Sequence, residues 1–143
     1  MDRDEAPAID VTVIVDVANV MGSRPDGWWR DRAAGAARVM DGLPALVGRV
    51  VDGPDGEAVR IARVIAVIEG AAKAAASVPG IDVARAPQDG DGAIVDAASR
   101  LGGTGSDSAA RVLVVTADRG LRARFGDDVR IAGPGWLNAL LGR

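Results

Sequence analysis

The stretch VIVDVANVMGSRPDGWWRDRA, Val13–Ala33, decides how the rest of the chain is read. It continues an unbroken β-branched run, Val11–Val15, which is the composition of a strand covered on both faces. The run ends in Asp16, and Asn19 follows three residues later. From Asp16 to Gly27 the residues are turn formers, so a loop is expected there. A carboxylate at the tip of a buried strand either shapes that loop or serves chemistry at the strand end.

Four more apolar runs follow. Ile61–Ile68, Ile81–Ala86, the run ending near Thr116, and VRIAG at Val129–Gly133 each read as strands. Helical patterns separate them. One helix is expected from about Trp28 to Met40 with Asp26 as its cap, and another from Pro44 to about Val51. DGPDG, Asp52–Gly56, is a surface turn. Further helices are expected over Ala71–Ser77, Asp91–Leu101, Arg119–Phe125 and Pro134–Leu141. Met1–Ala8 reads as a frayed tail, and GGTGSDS, Gly102–Ser108, as a flexible connection. This alternation predicts one α/β domain over residues 9–143, with a mainly parallel sheet between helix layers. Right-handed crossovers would then bring every parallel strand's C-terminal end to one edge, where ligands bind.

Composition narrows the chemistry. The 143 residues carry a formal net charge of −3 and are 48% hydrophobic, as in an ordinary globular domain. Cysteine and histidine are both absent. That excludes disulfides, thiolate or imidazole metal sites, and Ser-His-Asp or Cys-His catalysis. Any metal must sit on oxygen ligands, which favours magnesium, manganese or calcium. The start is acidic, not a basic n-region with an apolar core, and no apolar run is long enough to span a membrane. The expected compartment is therefore the cytoplasm, without a membrane partner.

Acids follow each of the first four strands: Asp16, then Glu69, then Asp89 and Asp91, then Asp118. Any one could be a turn former or helix cap, and Asp118 could simply cap the helix at Arg119. Their convergence on one edge is the informative feature. Crowded carboxylates repel, and a hard divalent cation relieves that repulsion. Asp91 and Asp96 lie ~140° apart around a helix, so both cannot face one ion. Asp91 is preferred, with Asp89 in support. Such a cluster suits magnesium-type activation of water for attack at phosphorus, which needs no protein nucleophile.

Three stretches resemble the acidic motifs of the PIN-like nucleases, especially their NYN branch: VIVDVANVMGS (Val13–Ser23), DGDGAIVDAA (Asp89–Ala98) and VVTADRGLRARF (Val114–Phe125). The resemblance spans about Val11 to Ala132. It implies a three-layer sandwich with a five-stranded, mainly parallel sheet of order 3-2-1-4-5, and Mg²⁺- or Mn²⁺-dependent ribonuclease activity. It makes Asp16, Asp91 and Asp118 the catalytic, metal-binding acids, and Asn19 and Thr116 polar groups that orient a ligand or substrate; Glu69 and Asp89 join the metal ligands from their place after the strands. The chain departs from many members in having Asp118 alone after the fourth strand, and Gly90 and Gly92 around Asp91.

Trp28 and Trp29 should project ~100° apart on a helix, so at least one packs inward. The other reading is a platform that stacks an unpaired base. Arg24 and Arg30 near this loop, and Arg119 after Asp118, could contact phosphates, although solvated arginine is the commoner fate. Single-stranded RNA is the expected partner, and a homodimer is left open. The rival readings are a nucleic-acid or nucleotide-binding module with a degenerate site, and a nucleotide phosphohydrolase.

Overall fold

The computed structural model describes residues 8–102 and 111–143. The expected tail before Ala8 and most of the Gly102–Ser108 connection lie outside the described residues. β1 (Ile9–Asp16) is flanked on both sides, by β3 (Ala58–Ile68) and β5 (Val112–Val115). That central position explains its composition: in the second half of the strand neither face nor edge meets water, and every residue from Val13 to Asp16 is buried.

The sheet has six strands. β4 (Asp82–Arg85) pairs parallel with the second half of β3, and β6 (Arg130–Ala132) pairs parallel with β5. β2 (Val50–Asp52) pairs antiparallel with the first half of β3, sharing with β4 the same outer edge. The sheet is therefore mixed and mostly parallel, which corrects the expected five-stranded sandwich. The residues of β3 record its two neighbourhoods. Beside β2 it alternates, with Val59 and Ile61 buried and Arg60 exposed, whereas Val64–Ile68 is buried throughout. β2 takes the place of the expected end of a helix at Val51. Pro44 opens only a single 3-10 turn, Leu43–Leu46, and the Asp52–Gly56 turn closes a β2–β3 hairpin, with Gly56 in the left-handed region at φ 86°.

Helices cover both faces unequally. On one face α1 (Val17–Gly22), α2 (Arg32–Met40) and α5 (Pro134–Leu141) pack on Val11, Val13, Val15, Ile61 and Leu113. On the other, α3 (Gly90–Gly102) and the single-turn α4 (Arg119–Arg122) cover Ile14, Val67, Val112 and Val114 through Ile94 and Leu121. Several expected helices are shorter or shifted. Trp28–Arg30 is a 3-10 turn, and α2 begins at Arg32, capped by Asp31 rather than Asp26. Gly70–Ala74 is a 3-10 turn in place of the alanine-rich helix. The expected loop after Asp16 instead begins with α1. No described helix is long and apolar enough to cross a membrane.

Candidate active site

Because β1, β3, β4, β5 and β6 run parallel, their C-terminal ends meet at one edge. Asp16 is the last residue of β1 and the N-cap of α1. One carboxylate oxygen, Oδ1, accepts the Asn19 amide at 3.3 Å. The other, Oδ2, accepts the Thr116 hydroxyl at 2.9 Å. Thr116, directly after β5, is fully buried, and its Oγ1 in turn accepts the Asp118 amide at 3.1 Å. Asp118 caps α4 by accepting the Leu121 amide at 3.0 Å. A second link runs beside this chain: the Asn19 side-chain oxygen accepts the Ala117 amide at 2.8 Å. The loops after β1 and β5 are thus tied twice, through side chains about a hundred residues apart in sequence.

The other acids stand at the same edge. Glu69, just past β3, accepts the Gly90 amide at 3.1 Å. A Cβ on Gly90 would lie 2.8 Å from Glu69 Oε1, so glycine there permits the close approach of α3 to the end of β3. Asp89 accepts the Gly92 amide at 2.6 Å and so closes the first turn of α3, which carries Asp91.

Electrostatics join these acids into one group. Asp16 is 4% exposed, and burial is the main reason its carboxyl titrates above the ordinary value of 3.8. The bonds from Thr116 and the Asn19 amide oppose that rise, while the charges of Asp91 and Glu69 add to it. Asp91 is raised too, first by partial burial, then by repulsion from Asp118, Glu69 and Asp89; Arg124 pulls it back. Asp91 thus feels Asp118, Glu69 and Asp89, and Asp16 feels Asp91 and Glu69. Among the described residues, however, no group of three or more acids is gathered as a ready-made metal cage.

The remaining predicted residues divide. Asn19 and Thr116 stand within the constellation. Arg119 is exposed at the start of α4, next to Asp118. Arg24 lies elsewhere, lining a hollow of about 450 Å³ with Asp26, Arg38, Asp41 and Arg143. Trp28 is partly buried between α1 and α2, against Gly22 and Gly35, and Arg30 lies over the ring of Trp29 instead. Asp96 is exposed, beside Asp89 and Arg100 in a groove along α3. An open hollow of about 360 Å³ adjoins the constellation, lined by Ala18, Asn19, Gly22, Ser23, Ala117 and Pro134. Sequence reasoning did not foresee the Asn19–Ala117 tie or the Glu69–Gly90 contact. An Asp followed by VANVM is a recognisable cap before a helical turn, and would have revealed α1.

No family model matches the chain, and no curated protein does. Among solved structures it is similar to Rae1 (YacP) from Bacillus subtilis, with a TM-score of 0.67 and 16% identity over 92% of this chain and 75% of that one. At that identity the likeness lies in the fold alone: an α/β domain with a mostly parallel sheet.

Proposed function

We propose that this chain is a metal-dependent nuclease of the PIN-like class, hydrolysing phosphodiester bonds in single-stranded RNA. The observation that carries the reading is the buried linkage of Asp16 to Asp118 through Thr116, at the same edge as Glu69, Asp89 and Asp91. Asp16, Asp91 and Asp118 would hold Mg²⁺ or Mn²⁺, with Glu69 and Asp89 beside them. The donors are all oxygen, as a hard cation requires. Mg²⁺ keeps several waters and takes only one or two carboxylates directly. Such an ion, when bound, polarises the phosphoryl oxygens and makes its water acidic enough to attack.

The chain's own residues prepare that edge. Thr116 fixes the Asp16 carboxylate by donating to it, and holds the Asp118 backbone by accepting from it. Asn19 locks the two flanking loops together. Arg124, whose charge reaches Asp91, and the exposed Arg119 supply positive charge for phosphate beside the acids. The reading assigns the chain to the cytoplasm.

Incubation with end-labelled single-stranded RNA and Mn²⁺ tests it. Cleavage is expected, abolished by chelator and by Asp118→Asn. A second reading, a nucleic-acid or nucleotide-binding module without catalysis, is favoured by the lack of a preformed three-acid group among the described residues. It prevails if the protein binds Mn²⁺ and RNA but leaves RNA, DNA and nucleoside triphosphates intact.

A further inference from the structure

The turn between α1 and α2 carries a feature the acidic edge does not use. Trp28 and Trp29 meet edge to face, with ring centroids 5.8 Å apart and planes at 87°. Trp28 is the anchor. A Cβ on Gly35 would lie 2.9 Å from Trp28 Cβ and 2.7 Å from Met21 Sδ, so α2 closes on the tryptophan only because residue 35 is glycine. Gly27, in the left-handed region at φ 87°, turns the chain into this pair. Trp29 is held outward by that anchor and remains 51% exposed.

Positive charge surrounds it. The Arg30 guanidinium lies 6.0 Å from the Trp29 ring centre, and that of Arg32 lies 5.2 Å from the Trp28 ring centre. Arg24, Arg30 and Arg32 are exposed and form no ion pair with an acid among the described residues. Arg38 and Arg143 share a single carboxylate, that of Asp26, at 3.5 Å each. In a chain of net charge −3, this turn and the hollow beside it bring five arginines together with three aspartates, Asp26, Asp31 and Asp41.

We infer that Trp29 stacks an unpaired base of a single-stranded nucleic acid while Arg24, Arg30 and Arg32 take the flanking phosphates. The inference rests on the nuclease reading for its substrate class, and places the stacking role on Trp29, because Trp28 is the one packed inward. A flat, half-exposed indole accepts any base, and arginine pairs phosphate oxygens two at a time. Trp28 keeps the indole of Trp29 in place before the strand arrives, which reduces the ordering cost of binding. A continuous duplex buries its base faces in its own stack and offers Trp29 none.

The test is fluorescence polarisation of a labelled oligouridylate of about 12 nucleotides, in chelator, with full-length protein. Trp29→Ala is expected to weaken binding at least about fivefold, the loss of one stacked base, while Trp29→Phe retains most of the affinity. Arg24→Gln with Arg30→Gln and Arg32→Gln is expected to flatten the dependence of log Kd on log salt. A duplex of the same length is expected to bind more weakly than the single strand. Thermal melts verify that the variants fold. The inference is overturned if Trp29→Ala binds like the wild type, or if the duplex or an acidic peptide binds as tightly as the single strand. The two readings fail separately. Wild-type protein that cleaves RNA through a surface indifferent to Trp29 overturns the inference and keeps the nuclease. Binding that depends on Trp29 without any cleavage supports the inference and removes the nuclease.

Discussion

Replacing Thr116 by Val removes one hydroxyl and keeps the shape of the side chain. Thr116 is fully buried, so water cannot take the place of the lost group. Two partners are orphaned: an Asp16 carboxylate oxygen and the Asp118 amide. Each unsatisfied buried group costs ~1–3 kcal/mol, more when charged. The added methyl returns ~0.8 kcal/mol. The net loss is about 1–5 kcal/mol, or a fall in Tm of about 3–16 °C for a chain of this size. The loss should depend on pH. Asp16 already titrates above 3.8 in the folded protein, so stability falls as pH rises from 3.8 through its folded value. Thr116 supplies the largest influence opposing that rise; without it the folded value climbs further and the fall extends over a wider interval. Urea melts of wild type, Thr116→Val and Thr116→Ser in chelator, near pH 4 and near pH 8, measure both effects. Thr116→Val should lose more at the higher pH, and Thr116→Ser, which keeps the hydroxyl, should lose less at both. A loss below about 0.5 kcal/mol near pH 8, or an equal loss at both values, would refute the claim that Thr116 holds a buried carboxylate.

Asp16→Asn should abolish cleavage yet leave the metal-free protein as stable as the wild type or more so, because it removes a buried charge that Asp91 and Glu69 repel. Excess Mg²⁺ should reverse that order: an ion at a hundred times its Kd stabilises the wild type by about 2.7 kcal/mol and the variant less, whereas equal destabilisation in both melts would make Asp16 purely a loop tie. Asp91→Asn should stabilise the metal-free protein near neutral pH and have little effect well below 3.8, since a raised carboxyl withdraws stability only as pH climbs through its folded value; a pH series of melts reads the sign. Gly35→Ala should destabilise by ~1–3 kcal/mol through overpacking against Trp28, despite the better helix propensity of alanine, and an unchanged Tm would mean that α1 and α2 separate freely.

Two parallel strands, β1 and β3, were legible because they are long and apolar. Val11–Val15 and Val64–Ile68 could only be buried on both faces, and the acids that follow them mark the strand ends. β2 was not legible: two valines between Arg49 and Asp52 carry too little periodicity, and its partner in β3 shows it only by alternating Val59, Arg60 and Ile61. The start of α2 is ambiguous in the sequence because Asp26 and Asp31 are both plausible caps. The backbone decides between them: Gly27 takes a left-handed turn and Asp31 reaches the Ala34 amide. Within the site, the acids could be named from strand ends alone. The ties among Asp16, Thr116, Asn19 and Ala117 could not, because they join residues about a hundred positions apart. Which tryptophan packs inward depended on Gly35, a residue without a side chain to signal the contact.

Crystals grown with Mn²⁺ and a non-cleavable single-stranded RNA, with data collected at the manganese edge, address the metal assignment directly. The anomalous map should show a peak at the C-terminal edge of the sheet, among Asp16, Asp91 and Asp118, against a phosphate of the RNA. Bound RNA with no peak at that edge, or manganese held only elsewhere, would contradict a carboxylate-bound metal nuclease.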